Sequence, residues 1–229
     1  LRSNLHRSTL VRQLEGCLPT GAAAPGDVAR QDVAERLGQW LNVADAISLS
    51  SAHATIAAAG RQAARVSGQP ATAAATLQAE LERVRAVLSQ SISTRDAKHK
   101  PDPDDLDTEF ALCLQRYQDQ QRRLEMSVDA LRGHVRQTLA QGSPRLAQLA
   151  ALDAVLDDML GGREQRLLNN VPALLKARFT ALRQAAAASD TPRDLHWLQG
   201  FNTELEQTLL AELDHRLQPV VGMIEAVDS

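Results

Sequence analysis

From residue 110 to residue 138 one spacing rule holds without a break. Phe110, Leu114, Tyr117, Gln121, Leu124, Val128, Leu131, Val135 and Thr138 follow one another at alternating steps of four and three. This is a heptad seam, the signature of a helix that buries one narrow stripe against another helix. Its one polar break is Gln121. The spacing predicts a helix from about Asp105 to Ala140, roughly 50 Å long at 1.5 Å per residue, which is longer than a compact globule of this size needs. Gly142-Ser143-Pro144 then closes one helix and opens the next, and a turn that short predicts an antiparallel helical hairpin. The fold class expected is therefore all-α: an elongated helical bundle of about six helices, built around a long antiparallel hairpin spanning about 105–188.

The other segments agree with this class. Leu10, Val11 and Leu14 mark a short first helix, which stops at the Gly- and Pro-rich stretch from Gly16 to Gly26. Val33, Leu37, Trp40, Leu41, Ala44 and Ile47 share one helical face. The continuation from Ala52 to Val66 is so rich in Ala that it favours helix while offering little volume to bury, so it must either pack closely or fray. Leu77, Leu81, Val84, Leu88 and Ile92 define a helix from about Thr72 to Ser93. Leu146, Leu149, Leu152, Leu156 and Met159 predict the seam of the returning helix, which Gly161-Gly162 weakens and which Pro172 forces to restart near Asn169-Asn170. Thr191 and Pro192 provide a cap and a first turn for a last helix carrying Leu195, Leu198, Phe201, Leu205, Leu209, Leu213 and Leu217 up to Pro219.

Residues 94–104 read as a mobile polar linker, because Pro101 and Pro103 each turn the preceding residue away from helical geometry. The helices before it have too few rings for a separate core, so one all-α domain over 1–229 is expected. Only 3% of residues are aromatic, and Trp40, Trp197 and Phe201 all lie on apolar stripes, as structural anchors or, alternatively, as partner hot spots.

Chemistry is scarce in this pattern. There is no nucleophile elbow and no phosphate-binding glycine loop. The six histidines are scattered singly, and Cys17 and Cys113 have neither disulfide nor metal spacing. No catalytic residue, metal or cofactor is expected, and the protein is read as not an enzyme. The acids Asp102, Asp104, Asp105, Asp107 and Glu109 lack the central Gly and the distant Glu of a calcium loop; they suit the positive end of the long helix instead. Between residues 111 and 189 there are 11 Lys or Arg against 7 Asp or Glu. Arg116, Arg122, Arg123, Arg132 and Arg136 are the candidates for a nucleic-acid or partner surface, although their alternation with Asp119, Glu125 and Asp129 also fits a solvated helix face. From Asp190 onward there are eight acids and two arginines, a segment suited to docking on the basic middle, in this chain or in a second copy. No run is long and apolar enough to span a membrane, and no secretory leader pattern opens the chain. A cytoplasmic location is expected.

Three stretches carry a family resemblance: QDVAERLGQWLNVADAISLS (31–50), LAALDAVLDDMLGGREQRLLNNVPALLKARF (149–179) and LLAELDHRLQPVVGMIEA (209–226). They resemble a proteobacterial family known only as domain of unknown function 3348. Members of that family are typically encoded beside a stator-like proton channel and a peptidoglycan-binding OmpA-like protein, an arrangement similar to type III Zorya anti-phage systems. The resemblance implies an accessory cytosolic component of a membrane-anchored, ion-driven defence machine, and it carries no catalytic residue across. The partner expected is another helix, such as the cytoplasmic helical tail of the channel or a co-encoded accessory protein; a long seam also admits homo-oligomers. The second reading is a nucleic-acid-binding effector that uses the hairpin arginines. Within the hairpin, the turn places the partner of Gln121 near Arg163, Glu164 and Gln165. A register-setting polar layer among these residues is expected, and Gln121→Leu is expected to raise thermal stability while loosening register.

Overall fold

The computed structural model describes residues 8–16, 43–65, 71–94, 99–188 and 195–227. Every regular element among them is an α-helix: α1 (Thr9–Gly16), α2 (Val43–Ala63), α3 (Ala71–Ser93), α4 (Leu106–Ala140), α5 (Pro144–Leu168), α6 (Val171–Ala187) and α7 (His196–Glu225). The protein is all-α, as the periodicity requires. The apolar stripe through Trp40, the Cys17 loop and the Thr191–Pro192 start lie outside the described residues.

The described residues fall into two compact units. The first draws on residues 1–20, 81–130 and 167–218, the second on 21–80, 131–166 and 219–229. The single-domain expectation therefore meets a chain whose two units are each assembled from three separated stretches. Neither side of the 94–104 segment holds a whole unit. Tryptic nicking after Lys98 is expected to leave both fragments co-eluting on a native sizing column, whereas two fragments that separate and stay folded would contradict a single domain.

In the first unit the core is leucine with a ring cluster. Leu198, Phe201, Leu205, Leu209, Leu213 and Leu217 on α7 are all buried, together with Leu81, Leu88 and Ile92 on α3 and Tyr117, Leu124 and Val128 on α4. All three phenylalanines meet: the Phe179 ring lies 4.9 Å from Phe110 and 5.2 Å from Phe201, and Trp197 stands 5.2 Å from Phe179. Tilted and edge-on ring pairs suit the quadrupoles of such rings. Trp197 and Phe201 are thus the anchors expected of them. Leu10 and the partly buried Leu14 of α1 pack with Leu168 and Ala211, while Val11 points outward.

The second unit is built with smaller side chains. Ala52, Ala63, Ala74, Ala147 and Ala150 are buried beside Leu131, Val135, Leu139, Leu146, Met223 and Ile224. Close approach is the use made of the Ala-rich α2: a Cβ on Gly60 would fall 2.6 Å from the Gln148 side-chain amide. Ile47 is 65% exposed, because the buried face of α2 runs through Ala52, Gly60 and Ala63 and turns the Ile47 position away.

Turn chemistry agrees with the sequence. The Asp105 carboxylate caps α4 by accepting from the Thr108 backbone N–H at 3.1 Å, and these hydrogen bonds hold its pKa below the ordinary value. Gly142 N–H donates to Leu139 O, and the Ser143 hydroxyl accepts from Leu146 N–H. Asn170 stands at the N-cap position of α6 without a side-chain cap hydrogen bond, and Pro172 lies in the first turn, so the restart predicted near Asn169-Asn170 is present.

Three expectations change. The seam of α4 ends on buried Leu139 rather than on Thr138, because 3.6 residues per turn drifts off a strict heptad. On α5 the buried positions are Leu146, Ala147, Ala150, Asp153 and, at its end, Leu168, while Leu156 is exposed; an apolar stripe traced through leucines missed a face that closes on a charged residue. The last helix does not stop at Pro219, which lies inside it. The lost N–H and ring clash of an interior proline cost about 3 kcal/mol, and burial of Val220, Met223 and Ile224 beyond it offsets that at about 1.5–3 kcal/mol per side chain.

Candidate functional site

Among the described residues Thr208 is buried against the Glu204 carbonyl of its own helix, and three further places hold buried polar side chains of distinct construction. The first is a carboxylate at the centre of the first unit. Glu212 is fully buried on α7. The Tyr117 hydroxyl donates to its Oε2 at 2.8 Å, Gln121 Nε2 donates to the same oxygen at 3.4 Å, and Arg216 Nε, one turn on, donates to Oε1 at 3.0 Å. Burial, then the Glu212 charge, pushes the Tyr117 phenol far above its ordinary range, so it stays a donor at all working pH. Gln121 is thus a buried polar layer, as expected of a heptad break. Within the first unit the layer forms with Tyr117 and Glu212. Within the second unit Arg163 pairs with Asp45 of α2. Counting residues back from the turn could not reveal that α7 supplies the carboxylate.

The second place is an ion-pair network near the tip of the α4–α5 turn, in the second unit. Arg132 donates to both oxygens of Asp153, at 2.9 and 2.6 Å, and to Asp157 at 2.7 Å. Arg136 donates to Asp153 at 2.6 Å and to Asp157 at 2.8 Å. Each of the two arginines thus reaches both carboxylates. Burial alone would raise the Asp153 pKa; hydrogen bonds from Arg132 and Arg136, then their charges, outweigh it and hold the carboxyl below its ordinary value. Bidentate guanidinium–carboxylate geometry of this kind is the strong form of the pair.

These contacts sort the candidate arginines. Arg132 and Arg136 are engaged with Asp153 and Asp157. Arg116 donates to the carbonyls of Ile92 and Thr94 at 2.6 and 3.1 Å, closing the end of α3. Arg122 is 72% exposed, beside Asp119 at 3.7 Å, and Arg123 is also exposed. Within the first unit Arg122 and Arg123 are the exposed pair, and within the second Arg132 and Arg136 share two carboxylates. The acidic C-terminal segment does meet the basic middle inside the first unit, where Arg178 grips Glu204 with two hydrogen bonds of 2.9 and 2.6 Å.

The third place is a cleft of about 330 Å³ in the first unit, lined by His99 and Pro101, by Glu109, Cys113 and Arg116 of α4, and by Asn202 of α7. Glu109 is buried. It accepts from Asp102 N–H at 3.1 Å and lies 2.8 Å from His99 Nε2. This fastening holds the 99–102 part of the expected mobile linker; residues 95–98 lie outside the described residues. The Cys113 thiol donates to Asn202 Oδ1 at 3.3 Å. Burial, then the Glu109 charge, raises its pKa to about 11, so it remains protonated at neutral pH, and a protonated thiol is a poor nucleophile. Only the i, i+4 spacing of Glu109 and Cys113 hinted at this cleft in the sequence, since Asn202 and His99 arrive from distant segments. Among the described residues no cluster of three His, Cys, Asp or Glu is placed to hold a metal ion, and no helix is long and apolar enough to cross a membrane.

A family model described as "Protein of unknown function (DUF3348)" matches residues 1–229, the whole chain. The chain belongs to that family. No curated protein and no solved structure matches it. The DUF3348 chain therefore has to be read from its own side chains.

Proposed function

We propose that this DUF3348 chain is a non-enzymatic interaction subunit, acting in the cytoplasm as an accessory of an ion-motor-linked anti-phage defence system and binding a helix of a co-encoded protein. The observation that carries the non-enzymatic part is how its reactive groups are held. Glu212 is enclosed by Tyr117, Gln121 and Arg216, Asp153 by two arginines, and the Cys113 thiol is kept protonated. Such side chains build a scaffold, and function then lies in a surface. The defence role rests on the family resemblance and on the gene neighbours it implies. The hairpin expected over 105–188 enters the proposal as the docking element, with the cytoplasmic tail of the stator-like channel as the occupant.

A fluorescent peptide of that tail, titrated with the purified chain, tests the proposal. Saturable binding that changes little between 50 and 200 mM salt, with a gain in peptide helicity, is expected; no binding at up to millimolar chain would contradict it.

Exposed Arg122 and Arg123 favour one second reading, a nucleic-acid-binding effector. Phosphate contacts make affinity fall steeply with salt. DNA binding no tighter than the nonspecific range of roughly 10⁻⁴–10⁻⁶ M at physiological salt is expected of an interaction subunit. Tighter binding, weakened by Arg122→Ala with Arg123→Ala, would favour the second reading.

A further inference from the structure

The cleft beside Cys113 has a volume suited to a small ligand and an uneven set of hydrogen-bonding groups. At about 330 Å³ it reaches the lower end of the range for small-molecule sites, which are mostly apolar with a few placed polar groups. Pro101 and Leu112 supply apolar wall, and Leu112 is 45% exposed, a large apolar side chain left facing water. The one carboxylate on the wall, Glu109, is already covered by Asp102 N–H and His99. Asn202 accepts the Cys113 thiol proton through Oδ1, and its amide NH₂ has no protein partner among the described residues. Arg116, whose guanidinium also donates to the Ile92 and Thr94 carbonyls, stands on the same wall, so beside a covered carboxylate the cleft offers the Asn202 amide as a donor next to one guanidinium charge.

We infer that this cleft is a binding site for a small amphipathic carboxylate, whose apolar tail lies along Pro101 and Leu112 and whose carboxylate accepts from the Asn202 amide beside Arg116. This goes beyond the proposed interaction role and does not depend on it. A bound molecule would cover Cys113, giving the site its own reporter.

The test compares octanoate, octanol and octylamine as probes on the full chain, reading iodoacetamide alkylation of the Cys113 peptide by mass spectrometry alongside calorimetric titration. Octanoate is expected to bind saturably and to slow Cys113 alkylation, with octanol weaker and octylamine inactive. Asn202→Asp keeps the acceptor for the Cys113 thiol and replaces the donor with a like charge. It is expected to weaken octanoate binding by at least about tenfold, the loss of one hydrogen bond to a charged group, with helicity and Tm near those of the parent chain. Equal protection by all three probes, or no protection by octanoate at millimolar concentration, would overturn the assignment. Since that comparison uses the unaltered chain, it decides the matter whatever the variant does.

Discussion

Glu212→Leu is expected to destabilise the protein by about 3–5 kcal/mol, the cost of breaking a buried ion pair by removing one partner. At roughly 3 °C per kcal/mol for a chain of this length, Tm should fall by about 10 °C or more. The cause is local. Leucine fills the volume but takes away the acceptor of the buried Tyr117 hydroxyl and the carboxylate held by Arg216, and an unmet buried donor carries its full desolvation cost. Glu212→Gln keeps an acceptor for Tyr117 and should lose less. Adding Arg216→Leu to Glu212→Leu should recover part of the loss, because apolar replacement of both members of a buried pair is often neutral. Urea denaturation of the three variants checks this. A loss below about 1 kcal/mol for Glu212→Leu would be the value of an exposed pair and would remove Glu212 from the core.

Asp153→Ala is the second large effect, in the other unit. It removes the carboxylate shared by Arg132 and Arg136 and leaves both turning to Asp157, which is 35% exposed against 10% for Asp153. The arginines keep some solvent access, so a cost of about 2–4 kcal/mol is expected, somewhat below that of a fully enclosed pair. The same network has a pH signature. The Asp153 carboxyl has a folded pKa below its unfolded value of about 3.9. Its contribution is therefore fully present above about pH 4 and is lost as pH falls through the lower folded value. Stability measured from pH 7 to pH 2 should drop more gently below pH 4 in Asp153→Asn than in the parent chain. An identical acid limb in both would show that this carboxyl is not held by the arginines.

The sequence disclosed elements whose buried face is uniformly apolar and hid those that close on charge. The α7 stripe from Leu198 to Leu217 and the α4 seam from Tyr117 to Val135 could be read directly, since every third or fourth residue is large and apolar and all but Gln121 of the α4 set are hydrophobic. On α5 the same rule chose Leu149, Leu152 and Leu156 over Ala147, Ala150 and Asp153, because periodicity counts an aspartate as surface unless its cations are known. The Arg132–Asp153 pairing depends on which residues face each other across a turn, information the spacing of one helix does not contain. Gln121 shows the same division. That a buried amide needs a polar partner followed from its place in the seam; that the partner is Glu212, 91 residues away, depended on where α7 packs. The continuation of α7 through Pro219 was hidden for an energetic reason, since a local penalty decides the outcome only when no buried residues follow it.

The role proposed for this DUF3348 chain is to hold a protein helix. The most direct measurement is capture of the tagged chain from cells carrying its native gene neighbourhood, with nuclease and salt treatment, read by mass spectrometry. Recovery of the stator-like channel or the co-encoded accessory protein is expected, unchanged by nuclease, by 300 mM salt, or by Arg122→Ala with Arg123→Ala. Recovery of nucleic acid alone, lost on salt treatment and on those substitutions, would contradict it.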